Sequence, residues 1–266
     1  HRYFFPNDAM LKTTLAATYS EMNATEDSYA ADHTFTPFTY QKNKNTNLTL
    51  TSSYNRKFSA RHTNQTGFTY TRMFYDMRMN LAPFETAPLN TLSKGKGQTD
   101  LISVYTSSAF GITNQLSINA GLNSQILTLN NSWTLEPRLG MKWTPTARTS
   151  LALAYGLHSR MEKMDVYFVN SKSSGKESVN KDLDFTKAHH LMLTLGYKLS
   201  DNLLLKVEPY VQFLYDVPVI ADSSYSVLNR REFYVKEALV NKGKGRNIGV
   251  DITLEKYLSR GLYYLI

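Results

Sequence analysis

The sequence predicts an all-β fold, an antiparallel up-and-down transmembrane β-barrel, and three observations carry that reading. First, the stretch from Trp133 to Trp143 separates cleanly by parity. Its odd positions (Trp133, Leu135, Pro137, Leu139, Met141, Trp143) are apolar, and its even positions include Glu136, Arg138 and Lys142. Side chains alternate across a strand, so this is one strand with a greasy face and a charged face. Second, the two tryptophans stand ten residues apart on the greasy face. That spacing is roughly 33 Å along the strand and about 25 Å of height at a ~40° tilt, the height of the apolar band on an outer-membrane barrel. Third, the connections alternate mostly long and short, as in barrels with short turns at one rim and longer loops at the other.

Taken in order, Met10–Tyr19 alternates, with Leu11, Leu15, Ala17 and Tyr19 on one parity. A polar segment over 21–43 reads as a loop, and Thr46–Tyr54 resumes alternation before a turn near 55–62. A long strand over 63–80 puts Phe68, Tyr70 and Phe74 on one parity; 82–96, with two prolines, reads as a second loop. Asp100–Phe110 is a strand of unsettled facing, since Leu101 and Ile102 compete for the apolar side. After a turn at 111–114 come Leu116–Asn123, Trp133–Trp143, a turn at 144–148, and a strand with Leu151, Leu153, Tyr155 and Leu157 on one parity and His158 and Arg160 on the other. The connection at Asn130–Asn131 is short although it falls on the long side. A third loop spans 167–185 and contains Ser171–Lys176. Strands follow at Leu191–Leu199 and, after a turn at 200–202, Leu203–Phe213. A fourth loop covers 217–243, then Ile248–Glu255, a turn at 257–260, and a final run Gly261–Ile266. The total is about eleven strands, several longer than the five or six residues usual in globular sheets.

Composition narrows the function. No run approaches the ~18 to 20 apolar residues of a membrane helix, whereas half of each barrel strand faces water, so a mean hydropathy of -0.38 fits a barrel. Cysteine is absent, which excludes a disulfide framework and a thiolate metal site. The formal charge of +8 is scattered along strands and loop edges rather than gathered into one patch, which argues against nucleic acid as a partner. The opening residues His1–Pro6 lack the pattern of a signal peptide, as expected of a mature protein or a fragment.

Leu135–Gly140 followed by Leu151–Ser159 resembles TonB-dependent outer-membrane receptors of the Bacteroidetes type. Phe58–Thr63 with Gly67–Phe68, and Gly243–Val250, are similar to the same family, and the resemblance covers most of 45–266. It implies a barrel of about twenty-two strands. It also implies a plug domain, import of a scarce small nutrient, and coupling to the inner-membrane TonB complex through an N-terminal part. Residues 1–266 are then expected to be part of a single barrel domain, an internal piece of a larger receptor whose plug and final strands lie outside this chain. Localisation in the cell outer membrane and contact with its lipid follow for such a barrel; with no recognisable catalytic site, an outer-membrane barrel enzyme such as a lipase or protease is disfavoured, and neither enzyme activity nor a cofactor is expected. A TonB-independent channel, a porin or biogenesis barrel, is the alternative.

Parity assigns the lumen to Glu136, Arg138, Lys142, His158, Arg160, Lys198, Lys206 and Glu208, either as contacts for a plug or substrate or as charges that solvate the interior. It assigns the membrane interfaces to Trp133, Trp143, Tyr155 and Tyr197. His189 and His190 point to opposite faces and chelate poorly even with Asp182 and Asp184 nearby, so no metal is expected. Lys94–Gly97 and Lys242–Gly245 lack the spacing of phosphate loops, and no nucleophile, base and orienter stand at a telling spacing.

Overall fold

A computed structural model describes residues 1–6, 8–29, 33–84, 86–170, 177–221, 223, 225–229 and 234–266. The predicted Ser171–Lys176 loop segment lies outside the described residues. The chain forms one antiparallel sheet of twelve strands in chain order, each paired to its sequence neighbours. They are β1 (Arg2–Phe5), β2 (Ala9–Tyr29), β3 (Phe35–Ser59), β4 (His62–Leu81), β5 (Asn90–Gly111), β6 (Leu116–Leu127), β7 (Ser132–Trp143), β8 (Thr149–Arg160), β9 (Thr186–Ser200), β10 (Leu203–Ile220), β11 (Leu239–Ser259) and β12 (Leu262–Leu265). The alternation thus found eleven of the twelve; β1, too short to show a period, pairs with β2 through Tyr3↔Leu11.

The register aligns the apolar parities. Leu15, Leu50, Tyr70, Ile102, Ile126 and Trp133 form one cross-strand row, and Trp143, Leu151 and Leu195 form another nearer the short turns. These residues share the outer face, where Leu15 is 79% and Trp133 62% exposed. Ile102 joins this face, whereas Leu101 packs toward the opposite side, which settles the facing of β5.

The predicted loops need correction. Residues 21–43 are mostly strand, because β2 and β3 stay paired from Ala9↔Arg56 out to Tyr29↔Phe35. Likewise β5 begins at Asn90, β10 runs to Ile220, and β11 begins at Leu239, inside the segments read as loops. Polar strand that stands clear of an apolar solvent has no need of apolar alternation, so the ladder there leaves no period in the sequence. The 25 residues of β3 span roughly 80 Å, far more than the ~9 to 11 residues needed to cross a bilayer.

The main hydrophobic cluster lies on the inner face at the long-connection rim. Val166, Tyr167, Phe168 and Val169, from the short helix α1 (Met164–Tyr167) and the residues after it, pack with Leu183, Phe185, Val235 and Leu239 against Tyr75, Met77 and Leu127 of the sheet. Residues 164–169 and 183–185 of the connection after β8 therefore fold inward as a cap. Asn180, 1% exposed, ties it to the connection before β11, donating to the Glu237 carbonyl at 3.0 Å and accepting from the Leu239 amide at 2.8 Å. Asn130 fastens the other side, donating to the carbonyls of Lys181 and Leu183 at 3.0 and 2.7 Å. Burial among these side chains pushes the Tyr167 hydroxyl up to about 12.

Candidate functional site in the lumen

Below the cap, the inner face carries polar side chains that β5–β9 hold in register. At their centre is Glu136, 1% exposed on the middle of β7. Its pair partner Asn123 on β6 donates to Oε2 at 3.0 Å, and Gln125 donates to Oε1 at 2.6 Å. Thr134 donates to Oε1 at 3.3 Å, and Ser159 of β8 donates to the same oxygen. Arg138 completes the set with an ion pair from Nη2 to Oε2 at 2.8 Å while remaining about half exposed. A carboxylate this enclosed is stable only when its lone pairs are filled, and here five side chains fill them. The network locks three strands together and leaves one face of the Arg138 guanidinium open.

That guanidinium borders a hollow of about 740 Å³, lined also by Ser103, Tyr105, Asn119, His158 and His190. The imidazole of His158 folds over Gly156, where an added Cβ would stand 2.6 Å from Nε2, and lies 4.8 Å from the His190 ring. Gln212 approaches His190 Nδ1 at 3.4 Å. The hollow thus offers a guanidinium, two imidazoles and amide groups, a set suited to hydrogen-bonding an oxygen-rich or anionic group.

The other parity-assigned charges are dispersed. Lys206 pairs with Glu208 at 2.9 Å, and Glu208 also accepts from Thr194 at 3.0 Å, well along the sheet from Glu136. Lys142 and Lys198 are exposed near the short turns, and Arg160 is exposed at the upper end of β8. His189 lies on the outer face with its Nδ1 3.0 Å from the Tyr155 hydroxyl, and its ring stacks on Tyr215. Of the four aromatics assigned to the interfaces, Trp133 lies at the upper end of β7 and Trp143 at its lower end, and Tyr197 pairs with Thr149 beside a short turn. Tyr155 instead sits at mid-strand, opposite Leu139 and Leu191, so the structure does not place its backbone at a rim. Among the described residues no three His, Asp or Glu side chains converge as a metal site.

Parity reasoning missed two features. Gln125 and Ser159 complete the Glu136 network, yet their polar character alone does not announce a partner on another strand. Three tyrosines also lie over glycines directly across the ladder: Tyr105 over Gly67, Tyr75 over Gly97 and Tyr210 over Gly249. Each ring covers a backbone that has no side chain of its own, which fixes the register. A Cβ at Gly67 would meet the Ser52 carbonyl at 2.6 Å and the Tyr105 hydroxyl at 2.7 Å.

No protein-family model and no curated protein sequence matches the chain. Solved structures do. The ferric-catecholate import receptor Fiu of E. coli K12 is similar over 96% of this chain and 43% of its own, with a TM-score of 0.67 and 14% identity. The RagAB peptide importer is similar over 97% of this chain and 33% of its own, at TM-score 0.64 and 14% identity. The ferripyoverdine receptor of the outer membrane of Pseudomonas aeruginosa is similar over 97% and 37%, at TM-score 0.64 and 15% identity. These neighbours are TonB-dependent outer-membrane receptors, transport proteins rather than enzymes. The chain spans between 33% and 43% of their length. Its twelve-stranded meander has the fold of a contiguous run of strands in a TonB-dependent receptor barrel.

Proposed function

We propose that this chain is the barrel part of a TonB-dependent receptor of the Bacteroidetes type that imports a scarce nutrient across the outer membrane. The observation that carries the reading is the outer apolar belt, aligned row by row across the strands, in a sheet that superposes on such receptors over 96% of its length. In this reading the outer face meets lipid and the inner face meets a plug. The capped rim faces the cell exterior. The plug, the TonB complex and a small ligand of the siderophore, cofactor, peptide or glycan class are the partners. The aromatics Trp133, Trp143 and Tyr197 mark the lipid boundaries, Tyr155 lies between them, and Glu136, Arg138, His158, Arg160, Lys142, Lys198, Lys206 and Glu208 line the lumen.

Reconstituting the full-length protein in a planar bilayer tests this. A plugged receptor is electrically silent at rest, and uptake of its ligand by cells stops when a protonophore collapses the inner-membrane potential. A steady open-channel conductance with potential-independent uptake would instead support a TonB-independent channel.

A further inference from the structure

The two histidines that border the hollow stand on neighbouring strands and meet across a gap left by a glycine. His190 pairs directly with Gly156, whereas His158, two residues along β8, pairs with Ala188. The register alone makes them diagonal neighbours, roughly 7 Å apart along the backbone. Gly156 has no side chain, and the His158 ring folds into the place one would fill, with Nε2 2.6 Å from the position of an added Cβ. The ring thereby comes to stand opposite His190, and the two ring centres lie 4.8 Å apart with their planes at 61°. His189 takes no part, because its ring meets Tyr155 and Tyr215 on the outer face.

That separation is the one a shared metal ion imposes. A metal–nitrogen bond of ~2.0–2.1 Å and ~1.1 Å from nitrogen to ring centre put each ring centre roughly 3.2 Å from the ion. Bond angles of about 90–109° then set the two centres about 4.5–5.2 Å apart. Both rings have a nitrogen to give. Among the described residues neither nitrogen of His158 is hydrogen-bonded. Nδ1 of His190 meets Gln212 at 3.4 Å, which leaves Nε2. A ligating imidazole donates its other N–H to an oxygen. Gln212 supplies one when its amide turns over, and Asn247, which donates to Gln212 Oε1 at 3.0 Å, turns over with it. The Arg138 guanidinium on the same hollow is already paired with Glu136 at 2.8 Å, so the wall adds little net charge against a bound cation.

We infer that His158 and His190 form a two-imidazole site for a divalent transition metal of the Ni²⁺, Cu²⁺ and Zn²⁺ kind on the wall of the lumen. Neutral imidazoles suit these ions and not Mg²⁺ or Ca²⁺, and Cu²⁺ binds such a pair most tightly. The remaining coordination positions open into the hollow, where water fills them. The site depends on the pairing of β8 with β9 and not on transport.

The test titrates Cu²⁺ into the full-length protein, purified in detergent without an affinity tag, and follows binding by electron paramagnetic resonance. The wild type should hold one copper ion whose spectrum shows coupling to two imidazoles. His158→Gln and His190→Gln should each weaken that binding about tenfold or more and abolish the two-imidazole signature. His189→Gln should leave both unchanged. Gly156→Ala keeps both histidines but displaces the His158 ring, and it should weaken binding as well. Excess Zn²⁺ should displace the copper, and excess Mg²⁺ should not. Binding that is unchanged in either histidine variant or in Gly156→Ala overturns the inference, as does equal loss in His189→Gln or displacement by Mg²⁺. An unchanged heat-modifiable gel shift shows that the variants are folded. None of these readings requires transport, so a failure of the wild type to take up ligand would count against the importer reading alone.

Discussion

Replacing Glu136 with alanine removes the common acceptor for side chains on three adjacent strands. The cost can be worked donor by donor. Arg138 is about half exposed and passes to solvent, so its ion pair contributes little. The hydroxyls of Thr134 and Ser159 stand 3.0 Å apart, so once the carboxylate is gone Ser159 can donate to Thr134 and the two lose only part of their satisfaction. Gln125 is only partly buried and keeps the Ser159 hydroxyl as an acceptor at 3.2 Å, whereas the amide of Asn123 is different. Asn123 is 9% exposed, and the hydroxyl of Ser103 already occupies its Oδ1, so its NH₂ has nowhere to turn. That one stranded amide sets the cost of Glu136→Ala at roughly 1–3 kcal/mol. Glu136→Gln preserves shape and one carbonyl acceptor but turns an NH₂ toward other donors, for about 1–3 kcal/mol. Lys142→Ala, on the same face of the same strand but exposed, should stay within about 0.5 kcal/mol of the parent. Equilibrium urea unfolding of the full-length protein from lipid vesicles reads all three. If Glu136→Ala unfolds within about 0.5 kcal/mol of Lys142→Ala, the network does not hold the strands and the reasoning fails.

Facing is tested by arginine placed on either side of β7. Leu139→Arg on the apolar face should cost roughly 2–4 kcal/mol in the same assay. Gly140→Arg, where the nearest atom to an added Cβ is 3.8 Å away, should cost clearly less, and equal costs would remove the membrane orientation. Asn180→Ala strands the Leu239 amide and the Glu237 carbonyl, so limited proteolysis should cut within 177–185 or 234–238 far sooner while the barrel strands stay protected. Gly67→Val drives a side chain into the Ser52 carbonyl and the Tyr105 ring, and a loss of about 1–3 kcal/mol on unfolding is expected. The cap should loosen in alkali: the hydroxyl of Tyr167 ionises near 10 when unfolded but about 12 when buried, so its contribution is complete below pH 10 and is lost as pH rises toward 12. Tyr167→Phe should remove one tyrosine from the latest-titrating part of the tyrosinate absorbance curve.

Wherever one face of a strand meets an apolar surround and the other a polar one, the period of two is written into the chain. That was enough to place β6–β9, to put Leu139 and Glu136 on opposite faces, and to set the long connections at one rim. The same rule explains the missed strand extensions. Along β4 the apolar parity changes phase: Phe68, Tyr70 and Phe74 point outward, whereas Tyr75, Met77 and Met79 point inward and are buried. Below that point the outer face meets the apolar belt, and above it the cap supplies the apolar contact from inside. The phase change is visible in the sequence, but its meaning depends on a connection more than eighty residues away folding back onto β4. The Glu136 network has the same character. Parity sends the carboxylate inward, but its enclosure depends on Gln125 and Ser159 arriving from neighbouring strands in one register. The local chain determines which face a side chain takes, because alternation is a property of the backbone. Which partner it meets there is decided by the ladder and the folded connections, because those contacts join residues far apart in the sequence.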